Sequence, residues 1–170
     1  SRRQRQMCIR DSSTSLDMKF DMNMNLPNMR FEFVENYVKL NALHLGFDGS
    51  VAMPDEEAGP IDLDITFETK ETTFKSLLSL VPAIFMTDFE DIETEGNLAL
   101  SGMAKGRMVG DQLPAFALDL TVSDARFQYP DLPKAAENIA IDLHVKNPGG
   151  SDDNTVVDLN KFHVELAKNP

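Results

Sequence analysis

The sequence predicts a mainly β protein built of long antiparallel amphipathic strands, with one short helical segment around residues 73–86. Three observations carry this. Apolar and polar residues alternate at period two through most of the 170 residues, as in Ile61, Leu63, Ile65 and Phe67 set between Asp62, Asp64 and Thr66; that is the mark of strands with one buried face. A single stretch, Thr73–Phe85, instead places Phe74, Leu77, Leu78, Val81, Ile84 and Phe85 along one helical stripe. The connections between alternating runs are short, polar and rich in Pro, Gly, Asn and Asp, which suits a meander rather than βαβ units.

The ends of the chain are read first. Arg2–Ser12, RRQRQMCIRDS, resembles one reading frame of a transposase sequencing adapter, so residues 1–12 are set aside as an adapter-like scar outside the fold. Residues 13–170 then form a single β-rich segment, expected to be a fragment of a longer protein. The scar carries four arginines against one aspartate, so without it the acidic excess grows from −12 to −15. That balance argues against a nucleic-acid partner, whose phosphates need clustered Lys and Arg. Cys8 lies in the scar, and the remainder has no cysteine for a disulfide, a thiol nucleophile or a Cys-based zinc site. No apolar run approaches the length that spans a bilayer.

In order, Leu16, Met18, Phe20, Met22, Met24 and Leu26 share one side of the first alternating run. Pro27–Asn28 breaks it, and Met29, Phe31 and Phe33 resume. Val38–Met53 reads as one further strand with Leu43, Leu45, Phe47, Val51 and Met53 in step, and with bends or bulges expected at Gly46 and Gly49. After the polar loop Pro54–Pro60 comes the strand Ile61–Thr69. The helical stretch is interrupted by Pro82, which predicts two short helical pieces meeting near Val81. Leu98 and Leu100 open the next strand, which Gly102, Gly106 and Gly110 bend and turn. Phe116, Leu118, Leu120 and Val122 alternate again, with a bulge expected near Asp124. Pro130–Asn138 reads as a turn. Ile139, Ile141, Leu143 and Val145 follow, ended by Asn147–Gly150; then Val157, Leu159, Phe162, Val164 and Leu166 complete about nine strands.

Reactive groups do not converge in this pattern. His44, His144 and His163 each stand between apolar strand residues and so belong to the polar face, far apart in sequence. The sequence holds no nucleophile elbow, phosphate-binding loop or zinc-protease helix motif. The acidic stretches Asp55–Glu57, Asp88–Glu95 and Asp152–Asp153 read as solvated loop charges, and Gly149–Thr155 lacks the ligand spacing of an EF-hand. Neither an enzymatic activity nor a cofactor or metal is expected. The informative feature is the apolar face. Two architectures satisfy it: a curled sheet whose face lines an open groove for acyl chains, or a closed β-sandwich whose two faces cover each other, serving as a structural or protein-interaction module. The methionines favour the first, because flexible thioethers adapt to irregular partners.

The runs FKSLLSLVPAIF, LPAF before the strand of Phe116, FQYPDLP and VKNPGG, within Thr72–Pro170, resemble the AsmA-like family of Gram-negative envelope proteins. The upstream strands are similar in alternation and length. The resemblance implies a taco-like curled sheet with an apolar interior, a periplasmic location, and an inner-membrane anchor in a missing N-terminal part. It further implies a non-catalytic role in phospholipid transport between membranes or in outer-membrane assembly, with lipid and other envelope proteins as partners. On that reading the lipid-groove face comprises Leu16, Met18, Phe20, Met22, Met24, Ile61, Leu63, Ile65, Phe67, Leu98, Leu100, Phe116, Leu118, Leu120, Val122, Ile139, Ile141, Leu143 and Val145. Phe74, Leu77, Leu78, Val81, Ile84 and Phe85 would cap one end of it.

Overall fold

The computed structural model describes residues 15–54, 59–70, 73–79, 92–128 and 135–166. Within them nine strands form one antiparallel sheet: β1 (Leu16–Lys19), β2 (Met22–Asn25), β3 (Arg30–Leu40), β4 (Leu43–Ala52), β5 (Ile61–Thr69), β6 (Glu93–Met108), β7 (Ala115–Gln128), β8 (Ala136–Asn147) and β9 (Val156–Leu166). From β3 to β9 each strand pairs with the next, and β1 and β2 share the free side of β3. The sheet is open: β9 does not return to β1 or β2. The fold class expected from the alternation is the one observed, and the described strands make one sheet rather than the two of a sandwich. The adapter-like block falls outside the described residues.

Three boundaries differ from the sequence reading. The first alternating run divides at Phe20–Asp21 into β1 and β2, because both must follow one strand, β3, past its irregularity between Phe33 and Asn36. Asn36 holds this break together: its Nδ2 donates to Asp21 O at 2.9 Å, and its Oδ1 accepts from Asp21 N. The expected strand Val38–Met53 is instead the junction of β3 and β4, a hairpin turning at Asn41–Ala42. Asn41 takes a left-handed conformation (φ 53°), which its short polar side chain tolerates. The expected irregularity near Gly49 is real, but the one extra residue lies on the facing strand: Phe33 opposes Gly49, and the next register pair is Asn36 with Phe47. The bulge near Asp124 occurs where expected, with Asp124 at φ 50°. Ala136–Asn138, read as part of a turn, belong to β8.

One helix is described, α1 (Phe74–Leu78). Five residues are far too few for a helix to stand alone, so tertiary contacts hold it. Phe74 is buried with Leu43, Leu98, Val122, Ala125, Ala136 and Ile139, while Leu77 and Leu78 pack beside them. Polar ties fasten its C-terminal end to the β3–β4 turn. Asn41 Nδ2 donates to Ser79 O at 3.0 Å, and Ser79 Oγ accepts from Ala42 N at 3.3 Å while donating to Ser76 O at 2.7 Å. Val81, Ile84 and Phe85, and with them the second helical piece, lie outside the described residues.

Candidate apolar binding face

The register assembles the predicted face strand by strand. Leu16 opposes Leu40, Met18 opposes Val38, Met22 opposes Phe33 and Met24 opposes Phe31. Phe31 and Val51 lead on to Leu63, and Phe47 leads to Phe67. Across β5 and β6, Ile61, Leu63, Ile65 and Phe67 meet Met108, Gly106, Ala104 and Gly102. Leu98 then meets Val122 and Leu100 meets Leu120, while Gly102 and Ala104 meet Leu118 and Phe116. Ile141, Leu143 and Val145 oppose Val122, Leu120 and Leu118, and Ile139 opposes Ala125. Directly opposed residues in an antiparallel pair point to the same side. Eighteen of the nineteen predicted residues therefore share one face, and Phe20 joins them, since its ring lies 5.4 Å from Phe33 and 6.4 Å from Phe47.

Burial divides this face into three zones. Under α1, Leu98, Val122 and Ile139 are fully buried core residues, not the lining of an open groove. The central strands are half-buried at Leu63, Ile65, Phe67, Leu118, Leu143 and Val145, none of which belongs to the cluster under α1. At the two margins the face is open. Leu16, Met18, Phe20 and Met24 are exposed on one side, and Leu159, Phe162 and Leu166 of β9 on the other. The β3, β4 and β9 contributions (Phe31, Phe33, Phe47, Val51, Leu159 and Phe162) join the same surface. Their alternation was visible in the sequence, but the missed hairpin and the bulge in β9 hid which side they shared.

The opposite face is polar and charge-paired. Arg107 Nε lies 2.8 Å from Asp62 Oδ1, Lys105 Nζ 2.8 Å from Asp64 Oδ2 and Lys146 Nζ 3.4 Å from Asp158 Oδ2, each across a strand boundary. The Arg107 hydrogen bond holds the Asp62 carboxyl below the ordinary carboxylate range, and Asn138 with His163 does the same for Glu165. His144 stands between two carboxylates, with Asp119 on Nδ1 and Asp142 at 2.8 Å from Nε2. The bond to Asp119 raises the imidazole above its usual value; partial burial opposes this and the Asp142 charge adds to it. The sequence reading placed His144 on the polar face but did not name these partners. Asp142, two residues away on the same side of β8, was the legible signal; Asp119, from β7, was not. His44 lies edge-on to Tyr37 at 5.0 Å. A shallow depression of about 420 Å³ on this face is bordered by Gly46, Asp48, Thr66, Glu68, Ser101 and Asp119.

Among the described residues no group of three His, Cys, Asp or Glu could hold a metal ion, and no helix is long and apolar enough to cross a membrane. The apolar face offers adhesion by removal of hydrocarbon from water and no reacting group. No family model, curated protein or solved structure matches the chain.

Proposed function

We propose that this segment shields lipid acyl chains on its apolar sheet face, as a non-catalytic component of phospholipid transport between membranes or of outer-membrane assembly. The reading includes a periplasmic location and kinship with the AsmA-like proteins that residues 72–170 resemble. One observation carries it: among the described residues the apolar face continues across all nine strands of an open sheet, and α1, the one described helix packed on it, covers only one end. A face that served only as a core would be covered along its length. Exposed Leu, Met and Phe at both margins of this face are the kind of apolar surface that marks an interaction site. Each methylene moved from water onto it contributes about 0.8 kcal/mol, so a single acyl chain supplies enough affinity without any polar contact.

The test is native mass spectrometry of the protein purified without detergent from a bacterial host. Phospholipid adducts are expected, and Leu63→Asp or Leu118→Asp is expected to remove them while circular dichroism still reports β structure. A clean ligand-free mass from cooperatively folded wild-type protein overturns the reading. Adducts that survive both substitutions overturn the assignment of this face.

A further inference from the structure

The two margins of the sheet are built differently. At one, β1 and β2 are four residues each, broken at Phe20–Asp21 and followed by a single 3-10 turn containing Pro27. Short strands, breaks and proline are devices that blunt a free edge. At the other, β9 runs eleven residues without proline, with β8 its one partner among the described residues. Its groove-side residues Val157, Leu159, Phe162 and Leu166 are 61%, 55%, 67% and 70% exposed. An edge this long and this apolar is a template for another strand.

We propose that β9 pairs antiparallel with β9 of a second copy of this chain, about a two-fold axis between Asn160 and Lys161. The bulge in β9 specifies this register. Lys161 faces Asp142 and Leu159 faces Leu143, leaving Asn160 as the extra residue. Apolar positions therefore change from odd numbers (157 and 159) to even ones (162, 164 and 166). In the two-fold register Val157 meets Val164 and Leu159 meets Phe162 on the apolar side. Asp158 meets His163 on the polar side, and each contact occurs twice. A one-residue slip sets apolar against polar throughout. A two-residue slip either way opposes Lys161 to Phe162 and Asp158 to Glu165, or Leu159 to Asn160. The strand is thus self-complementary in one register, as a closed two-fold interface requires. The pairing doubles the width of the apolar face, but it does not depend on lipid binding: a lipid-free dimer upholds it.

Sedimentation velocity of the full chain over a concentration series tests this, together with disulfide trapping. The wild type is expected to pass from monomer to a discrete dimer. The double variant Leu159→Lys, Phe162→Lys is expected to stay monomeric with an unchanged circular dichroism spectrum. If that variant loses its fold, His163→Asp, which sets like charges opposite Asp158 on the solvated face, serves the same purpose. With Cys8→Ser as background, mixing Val157→Cys and Val164→Cys proteins is expected to give a disulfide-linked dimer that neither forms alone. Monomer at every concentration, a dimer indifferent to the β9 substitutions, open-ended aggregates, or cross-linking of a single variant with itself overturns the proposal.

Discussion

Phe67 of β5 lies over Gly102 of β6. A methyl group added at Gly102 would stand 2.6 Å from Phe67 Cε1 and 2.9 Å from the carbonyl oxygen of Ala117 on β7. The glycine is therefore a seat for the ring: it lets the largest side chain of β5 lie down on the sheet, where Leu118 opposes Gly102 from the other side.

Gly102→Ala is accordingly expected to destabilise the fold by about 1–3 kcal/mol through overpacking, although alanine is otherwise the better strand residue. Urea denaturation measures this. Phe67→Leu in the same chain should recover part of the loss, because it removes the ring atoms that collide. A Gly102→Ala protein as stable as wild type would show that Phe67 is not seated there.

The covered and open zones of the apolar face should respond differently to truncation. Leu98 is 1% exposed beneath α1, so Leu98→Ala is expected to cost about 2–5 kcal/mol. Leu159→Ala, on the open margin, should change monomer stability by less than about 0.5 kcal/mol when measured in dilute solution. Leu77→Asp should detach α1 and expose the core of Leu43, Val122 and Ile139 to dye binding. Equal costs at Leu98 and Leu159 would mean that the face is covered along its whole length.

His144 supplies a pH dependence. Its imidazole is raised above the ordinary 6.5, first by the bond to Asp119 and further by the Asp142 charge. A raised value in the folded chain means that the charged form is favoured by folding. The stabilisation is therefore full below the ordinary value and is lost as the pH rises through the raised one. A proton NMR titration should place His144 above 6.5, and Asp119→Asn should bring it back down. An unshifted titration in the wild type would sink the assignment.

Several elements were legible in the sequence because their cause is local. The alternation in Ile61–Thr69 marks its apolar side whatever strand lies next to it. The spacing of Phe74, Leu77 and Leu78 marks a helix, and Pro27 and Gly110 mark breaks. The hairpin at Asn41 was missed. The apolar positions change from even numbers, Val38 and Leu40, to odd ones from Leu43 onward, and the left-handed conformation of Asn41, tied to Ser79, turns the chain there. The partners of His144 were half legible, since Asp142 is local and Asp119 arrives from another strand.

By itself the sequence determined the composition of each strand's two sides, because side chains of an extended chain alternate by geometry alone. The tertiary structure decided the rest. Hydrogen-bond register between strands distant in sequence placed the apolar sides of β1 to β9 on one face, and α1 settled over one end of that face. Whether the strands would make one open sheet or two closed ones is a matter of neighbours, and a period of two specifies a side without naming a neighbour.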